Sequence, residues 1–415
     1  MQRSPLQSLD DALAQLLAQA QPLTQLQTLC TFEADGRVLA ADAVSPLHIP
    51  PWDNSAMDGY ALHSADLPAD GAPPPPGPLE FPVTQRIAAG SVGQPLLPGQ
   101  AARIFTGAPV PAGAGAVVMQ EQCEVLQEGA RVRVQAAVRA GQNIRRAGED
   151  IAQGATVLQA GTRLTPAALG LAASIGLDRL TVVRRPRVAL FSTGDELIMP
   201  GTVAPQQLPP GSIYNSNRFV LRALLQRLGC EVTDLGNVPD EREATVAALR
   251  QAAQGHDAIV TSGGVSVGEE DHLKPAVQAL GQLALWQIAI KPGKPFAYGR
   301  VGDAHFLGLP GNPVASLITC CLLVRPFVLR LQGVQNVAPR AVLAAADFVW
   351  PRADARREFL RVRVQEDGTL ALFPRQSSAV LSSTVWGDGV VDLAPGQTVA
   401  RGDQVRYLPF ATLLG

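Results

Sequence analysis

Arg187-Val188-Ala189-Leu190-Phe191-Ser192-Thr193-Gly194-Asp195-Glu196 is an unbroken apolar run ending in a turn with one glycine and two carboxylates. A run without polar alternation suits a strand buried on both faces, as in parallel sheets covered by helices. Working outward, the pattern repeats. A helix is expected over 217–228, a strand over 231–235, a helix over 241–254, and a strand over 258–260 that meets Thr261-Ser262-Gly263-Gly264. Further strands are expected at 286–290 and 304–307, the second leading into Leu309-Pro310-Gly311-Asn312-Pro313, and then a long helix over 314–331. Alternation at this spacing predicts a central three-layer α/β/α domain over 184–333 with a largely parallel sheet.

The flanks have other textures. Residues 8–20 place Leu9, Leu13, Leu16 and Leu17 on one helical face, with Ser8 and Asp11 as a capping box. Residues 44–150 carry many prolines and short β-branched runs, which predicts a β-rich domain with Pro73 to Pro76 in a stiff surface loop. Residues 164–177 are helical again, entered through Thr165 and Pro166. The two helical pieces are expected to pack together as a discontinuous unit, 5–43 with 151–183, making the β-rich part an insertion. After 334 the chain alternates, with a hairpin across Asp367-Gly368, and reads as a small β-barrel-like domain over 334–415. The fold class is multidomain, α/β plus β.

Composition narrows the function. At 415 residues, two to four domains are expected. Apolar residues make up 47% and charged residues 17%, which excludes a disordered polymer. Lys+Arg at 34 against Asp+Glu at 36 leaves a net charge of -2, so no global field recruits nucleic acid. Residues 318–324 are too short to cross a bilayer, and the acidic start at Asp10 and Asp11 is unlike a signal peptide. Cys30, Cys123, Cys230, Cys320 and Cys321 show neither metal nor disulfide spacing. A cytoplasmic setting without membrane is expected.

Ligands of such sheets bind outside the carboxyl ends of the strands. Three glycine-bearing loops should share that edge, and glycine lets backbone amides approach an anion closely. Thr193, Gly194, Asp195, Ser262, Gly263, Gly264, Ser266, Pro310, Gly311, Asn312 and Pro313 are therefore the expected substrate-binding set. Glu196, Asp240 and Asp271 converge on the same edge, and carboxylates beside phosphate call for a hard cation such as Mg2+. Asp240 is equally suited to cap the following helix. Only three basic residues are lysines, Lys274, Lys291 and Lys294, all in one short window. Where arginine serves elsewhere, a retained lysine points to a site that wants a compact ammonium; chance placement is the alternative. His272 sits in this site as a neutral neighbour or as an acid or base. No GxxxxGK followed by Ser or Thr, no GxGxxG after the first strand, no zinc spacing among the histidines and no GxSxG elbow is present.

The stretch 186–197, the segment Ser262-Gly263-Gly264-Val265-Ser266-Val267-Gly268-Glu269-Glu270-Asp271, then Lys291-Pro292-Gly293-Lys294-Pro295 and Leu309-Pro310-Gly311-Asn312-Pro313, resemble in order the molybdopterin-binding domain of MoeA proteins. Asp53-Asn54-Ser55-Ala56-Met57-Asp58-Gly59-Tyr60-Ala61, Arg103-Ile104-Phe105-Thr106-Gly107-Ala108-Pro109 and Gly141-Gln142-Asn143-Ile144-Arg145-Arg146 also match that family. The resemblance runs from about Leu9 to the C-terminus and extends to the C-terminal region of gephyrin.

The resemblance implies a molybdopterin molybdenumtransferase that takes adenylylated molybdopterin and molybdate as substrates and releases AMP in a Mg2+-dependent step. It implies an elongated homodimer with sites shared between subunits. Glu196, Asp240 and Asp271 would hold Mg2+ and the reacting phosphate, with Asp58, Thr106 and Arg145 arriving from the other subunit. Lys291 and Lys294 would bind phosphate or molybdate; Arg361 and Ser378 would join from the last domain. It further implies, as partners, the molybdopterin adenylyltransferase and downstream molybdoenzyme maturation proteins. The chain departs from relatives at Gln287, where Lys is frequent, and at His272, where Tyr is common. Two other readings use the same architecture. A receptor-clustering scaffold would dispense with the acidic set or the lysines, and both persist; an adenylyltransferase would consist of the α/β domain alone.

Overall fold

The carboxyl-edge loops hang from a six-stranded sheet whose strands lie, in spatial order, at Glu231–Val238, Arg187–Thr193, Ala258–Ser262, Ala304–Leu309, Pro295–Val301 and Gly281–Gln287. A computed structural model describes residues 6–68, 78–265 and 272–414. The expectations placed on Pro73 to Pro76, Ser266 and Asp271 fall outside the described residues. The first four strands are parallel. Val188, Ala189, Leu190 and Phe191 are fully buried, as an apolar run covered on both faces requires. On one face Leu221, Leu224, Val314 and Ile318 belong to the same core as Val188 and Leu190. On the other, Leu249, Ala252, Ala276 and Val277 pack with Ala189 and Phe191. Helices on both sides of a sheet make the three layers.

The sheet is parallel across four strands, as expected, and antiparallel at one edge. Strand Pro295–Val301 was not expected at all, and it pairs antiparallel with both Ala304–Leu309 and Gly281–Gln287. Its start in Lys291-Pro292-Gly293-Lys294-Pro295 reads as loop because proline cannot donate to a ladder. Here Pro295 sits at the first strand position, where it interrupts little. The helix Leu273–Leu280 was likewise unforeseen. The strand expected at 286–290 is split. Gly281–Gln287 stays in this sheet, while Ile290–Lys291 pairs parallel with Arg357–Val364 of the C-terminal sheet.

The helical pieces also separate. Ser8 caps the helix Leu9–Gln19, its hydroxyl oxygen accepting from the Asp11 N–H at 3.1 Å. Leu9, Ala12 and Leu16 then join the α/β core. The helix Pro166–Ser174, capped by Thr165, packs instead with Ala34, Leu39, Leu164 and Leu180. Apolar faces pair by complementary shape, and sequence periodicity does not name the partner. The long helix Pro313–Leu331 has a mean hydropathy of 1.9, and 89% of its most apolar stretch is buried, so it is a core helix of the α/β unit.

Between strand Leu26–Cys30 and its antiparallel partner Arg179–Val183 lies the β-rich part, built on a six-stranded sheet within residues 59–134. The C-terminal sheet runs Ile290–Lys291, Arg357–Val364, Gly389–Leu393, Gln404–Pro409 and Val342–Ala345, with Leu370–Leu372 attached across the Asp367-Gly368 hairpin. Leu370 bridges in parallel to Ala346, directly after Val342–Ala345, and the Asp347 N–H donates to the Leu370 carbonyl at 2.9 Å, so the sheet curls back on itself in keeping with a barrel-like shape.

Candidate functional site

Loops from the parallel strands meet the C-terminal sheet around a cavity of about 1050 Å3. Thr193, Gly194 and Glu196 enter from the strand Arg187–Thr193, Asp240 from the strand beside it, and Gly263 and Gly264 from Ala258–Ser262. Pro310, Gly311, Asn312 and Pro313 lead into the long helix, whose amino end presents a partial positive charge to the cavity. Lys291 and Lys294 form another wall. Arg356, Gln376, Ser377 and Ser378 close the site from the C-terminal domain, and the Val314 N–H donates to the Ser378 carbonyl at 2.9 Å.

Backbone shape depends on two glycines. Gly263 and Gly264 have φ of +90° and +63°. A Cβ on Gly263 would meet the Thr193 carbonyl oxygen at 2.5 Å, and one on Gly264 would meet Thr193 Oγ1 at 2.7 Å. Only glycine permits both the left-handed conformation and the close approach. Two asparagines brace neighbouring loops: Asn237 Nδ2 donates to the Gly194 carbonyl at 3.0 Å, and Asn217 Nδ2 to the Gly311 carbonyl at 2.6 Å.

The cavity is bipolar. At its acidic edge the Asp240 carboxyl is raised above the usual range, first by burial and then by repulsion from Asp195 and Glu196. At its basic edge the Lys291 ammonium is raised by the carboxylates of Glu358 and Asp354. Lys294 forms no ion pair among the described residues. Thr193 Oγ1 is buried on the cavity wall without a hydrogen-bond partner, an uncommon state for a native hydroxyl.

Other expected residues fall elsewhere. Asp195 does not line the cavity; its Oδ1 accepts from the Asp240 N–H at 3.1 Å. Ser262 turns its hydroxyl into the core, 2.9 Å from that of Ser192. Arg361 is 1% exposed and lies behind the cavity wall. It donates to the carbonyls of Ser377 and Phe359 and to Ser383 Oγ, and burial without a carboxylate partner lowers it to about 10. Its hydrogen bond to Ser377 anchors the loop that carries Ser378. Lys274 opens the helix Leu273–Leu280, away from the lining.

Asp58, Thr106 and Arg145 do not line this cavity. Asp58 Oδ1 accepts from both the N–H and the hydroxyl of Thr106 at 2.8 Å, which lowers the Asp58 carboxyl. Arg145 lies on a short strand paired with Asn54. The β-rich part therefore brings three segments distant in sequence side by side, with Thr106 and Arg145 exposed and Asp58 partly covered.

Sequence reasoning missed Asn217, Asn237, Arg356, Gln376 and Ser377. Asn217 stood at an expected helix start and reads as a cap; Arg356 stood among arginines, with no mark to single it out.

No group of three potential ligands forms a metal site among the described residues. Glu196 and Asp240 both line the cavity, and crowded carboxylates there favour a cation. Mg2+ characteristically uses one or two carboxylates plus substrate phosphate, so the pair fits it.

Three family models match in chain order: "MoeA N-terminal region (domain I and II)" over residues 7–176, "Probable molybdopterin binding domain" over 189–330, and "MoeA C-terminal region (domain IV)" over 344–410. A molybdopterin molybdenumtransferase of Haemophilus influenzae is 39% identical, covering 98% of this chain and 100% of its own. One of Synechococcus elongatus is 38% identical over 95% and 97%. The solved molybdopterin biosynthesis moeA protein of Pyrococcus horikoshii superposes with a TM-score of 0.84 at 28% identity, covering 98% and 100%.

Proposed function

The chain belongs to the MoeA family of molybdopterin molybdenumtransferases, transferases of molybdenum cofactor biosynthesis, and on that premise we propose that it inserts molybdenum from molybdate into adenylylated molybdopterin with Mg2+-dependent release of AMP. The observation that supports this reading most is the bipolar cavity, with the carboxylates of Glu196 and Asp240 on one edge and Lys291 and Lys294 on the other.

Molybdate is a dianion and the adenylate carries a phosphate, so their repulsion must be offset before they meet. Lys294 and Lys291 supply fixed positive charge, and the amino end of the helix Pro313–Leu331 adds its dipole. Glu196 and Asp240, with Asp271, would hold Mg2+. Bound there, the ion would neutralise phosphate charge and favour AMP as leaving group. The thiolates that receive molybdenum belong to the substrate. All five cysteines are free and the burial of Cys320 and Cys321 raises their thiols, in keeping with a protein that contributes no thiolate.

Asp58, Thr106 and Arg145 reach the cavity from a second copy of the chain. The reading also takes the protein as cytoplasmic, receiving its substrate from an adenylyltransferase and handing its product to maturation proteins. Purified protein incubated with adenylylated molybdopterin, molybdate and Mg2+ should form AMP and a cofactor that reconstitutes a molybdoenzyme. Absence of either product with folded protein would overturn the reading.

A further inference from the structure

Lys291 stands at the junction of two domains. Its strand, Ile290–Lys291, pairs with Arg357 and Glu358, and the Arg357 N–H donates to the Ala289 carbonyl at 3.0 Å. The ammonium lies 2.8 Å from Glu358 Oε1 and 3.1 Å from Asp354 Oδ2. The approach to Glu358 is ionic and off the line that a hydrogen bond needs, so the directed bond goes to Asp354. Glu358 is itself 2% exposed, and its other oxygen accepts from Trp350 Nε1 at 3.0 Å. Arg356 forks onto Asp354, its Nε and Nη2 each at 3.0 Å.

A buried carboxylate held by an indole cannot follow a departing cation, and leaving it unpaired is strongly unfavourable. Lys291 is therefore pinned, although its side chain is 43% exposed on the cavity wall. A lysine has three donors. With one given to Asp354 and one side turned to Glu358, one donor remains for the cavity.

We propose that Glu358, seated by Trp350 and assisted by Asp354, is a positioning residue that fixes the Lys291 ammonium at the cavity wall as a single-point donor to the tetrahedral oxyanion. This rests on the molybdate-binding role of Lys291 in the proposed function. Glu358→Gln keeps the shape and an acceptor for Trp350 but removes the charge. The KM for molybdate should rise about tenfold, the worth of one charge-assisted hydrogen bond, while kcat changes little. In a Lys291→Met background the same substitution should add nothing to KM, whereas a general loosening of the fold would add in both backgrounds. Trp350→Phe, which removes the indole donor alone, should move KM in the same direction by less, and it serves if Glu358→Gln folds poorly. A KM raised by Lys291→Met but untouched by Glu358→Gln and Trp350→Phe would overturn the positioning role and leave the function standing. A KM untouched by Lys291→Met would overturn both.

Discussion

The cavity beside Lys291 and the patch around Asp58 are both rich in charge, yet they satisfy those charges differently. Around the cavity several groups are packed and braced: Glu358 sits under Trp350, Asp354 holds Arg356, and Asn237 fastens Gly194. In the patch Asp58 is only partly covered, and both of its hydrogen bonds come from the turn at Thr106. Preorganised dipoles in a partly dry cavity are worth more than the same groups in water. A polar patch on an open surface acts on a substrate only when another surface is laid against it. On the proposed function the cavity is the reaction site, and the patch serves it from a second copy of the chain.

The largest effect should come from the acidic edge. Glu196→Gln removes a charge and nothing else, so AMP release should fall by about 100-fold or more, the range seen when one electrostatic contributor is lost. Thermal stability should hold, because Glu196 is exposed beside the cavity. Turnover within a few-fold of the parent would mean that the cavity is not the reaction site, and the comparison would collapse.

Next in size is the test that joins the two regions. Asp58→Ala and Glu196→Gln should each be inactive as pure proteins. If the patch serves the cavity of a second copy, each mixed dimer carries both lesions at one site and none at the other. Mixing with subunit exchange should then restore about half the sites of every mixed dimer. Exchange demonstrated by mass spectrometry without any recovery would place patch and cavity in one chain.

Lys291→Arg should be a milder change, roughly tenfold in molybdate KM, the cost of one displaced charged hydrogen bond. The charge is kept, but a planar fork seated between Asp354 and Glu358 aims its spare donors differently. Unchanged kinetics would return the clustering of lysines to chance.

Much of the cavity was legible because strand, glycine loop and helix recur at regular spacing from Arg187 onward. Thr193, Gly194, Gly263, Gly264 and the 310–313 loop come from chain order alone, since parallel strands bring their carboxyl ends to one edge. What stayed hidden was decided at a distance. The strand Pro295–Val301 is masked by flanking prolines, and its pairing depends on a hairpin with Ala304–Leu309. Ser262 and Arg361 carry site-like chemistry, but strand register and burial turn both inward. Glu358 is one of many glutamates until Trp350 and Lys291 are seen against it. Asp58 and Thr106 were paired by resemblance, and no local pattern brings residues 48 positions apart together.

The smallest effect on turnover, and the sharpest contrast between a buried charge and a partly covered one, lies in the pH dependence of stability. His305 is 7% exposed, with Nδ1 at 2.9 Å from the Tyr298 hydroxyl, and burial lowers it to about 4. Its folded pKa lies below the unfolded value, so the unfolded chain binds the proton first as pH falls. Stability is complete above about pH 6.5 and is lost progressively between there and pH 4. At pH 5 this group alone should cost roughly 2 kcal/mol. His305→Gln keeps a hydrogen-bond partner for Tyr298 and has no proton to gain. Its absolute stability will differ, since the His305 ring packs edge-on against Phe327, so the slope is the informative quantity. Urea unfolding at pH 7.5 and pH 5 should show the parent losing more stability than the variant by that amount. Asp58 gives the opposite case: two bonds from Thr106 lower its carboxyl, so its linkage lies below this pH window, and replacement by Asn should leave the change between pH 7.5 and pH 5 as it is in the parent. Equal slopes in the parent and His305→Gln would mean that His305 is reached by solvent, and the α/β core would lose the dryness that sets it apart from the patch.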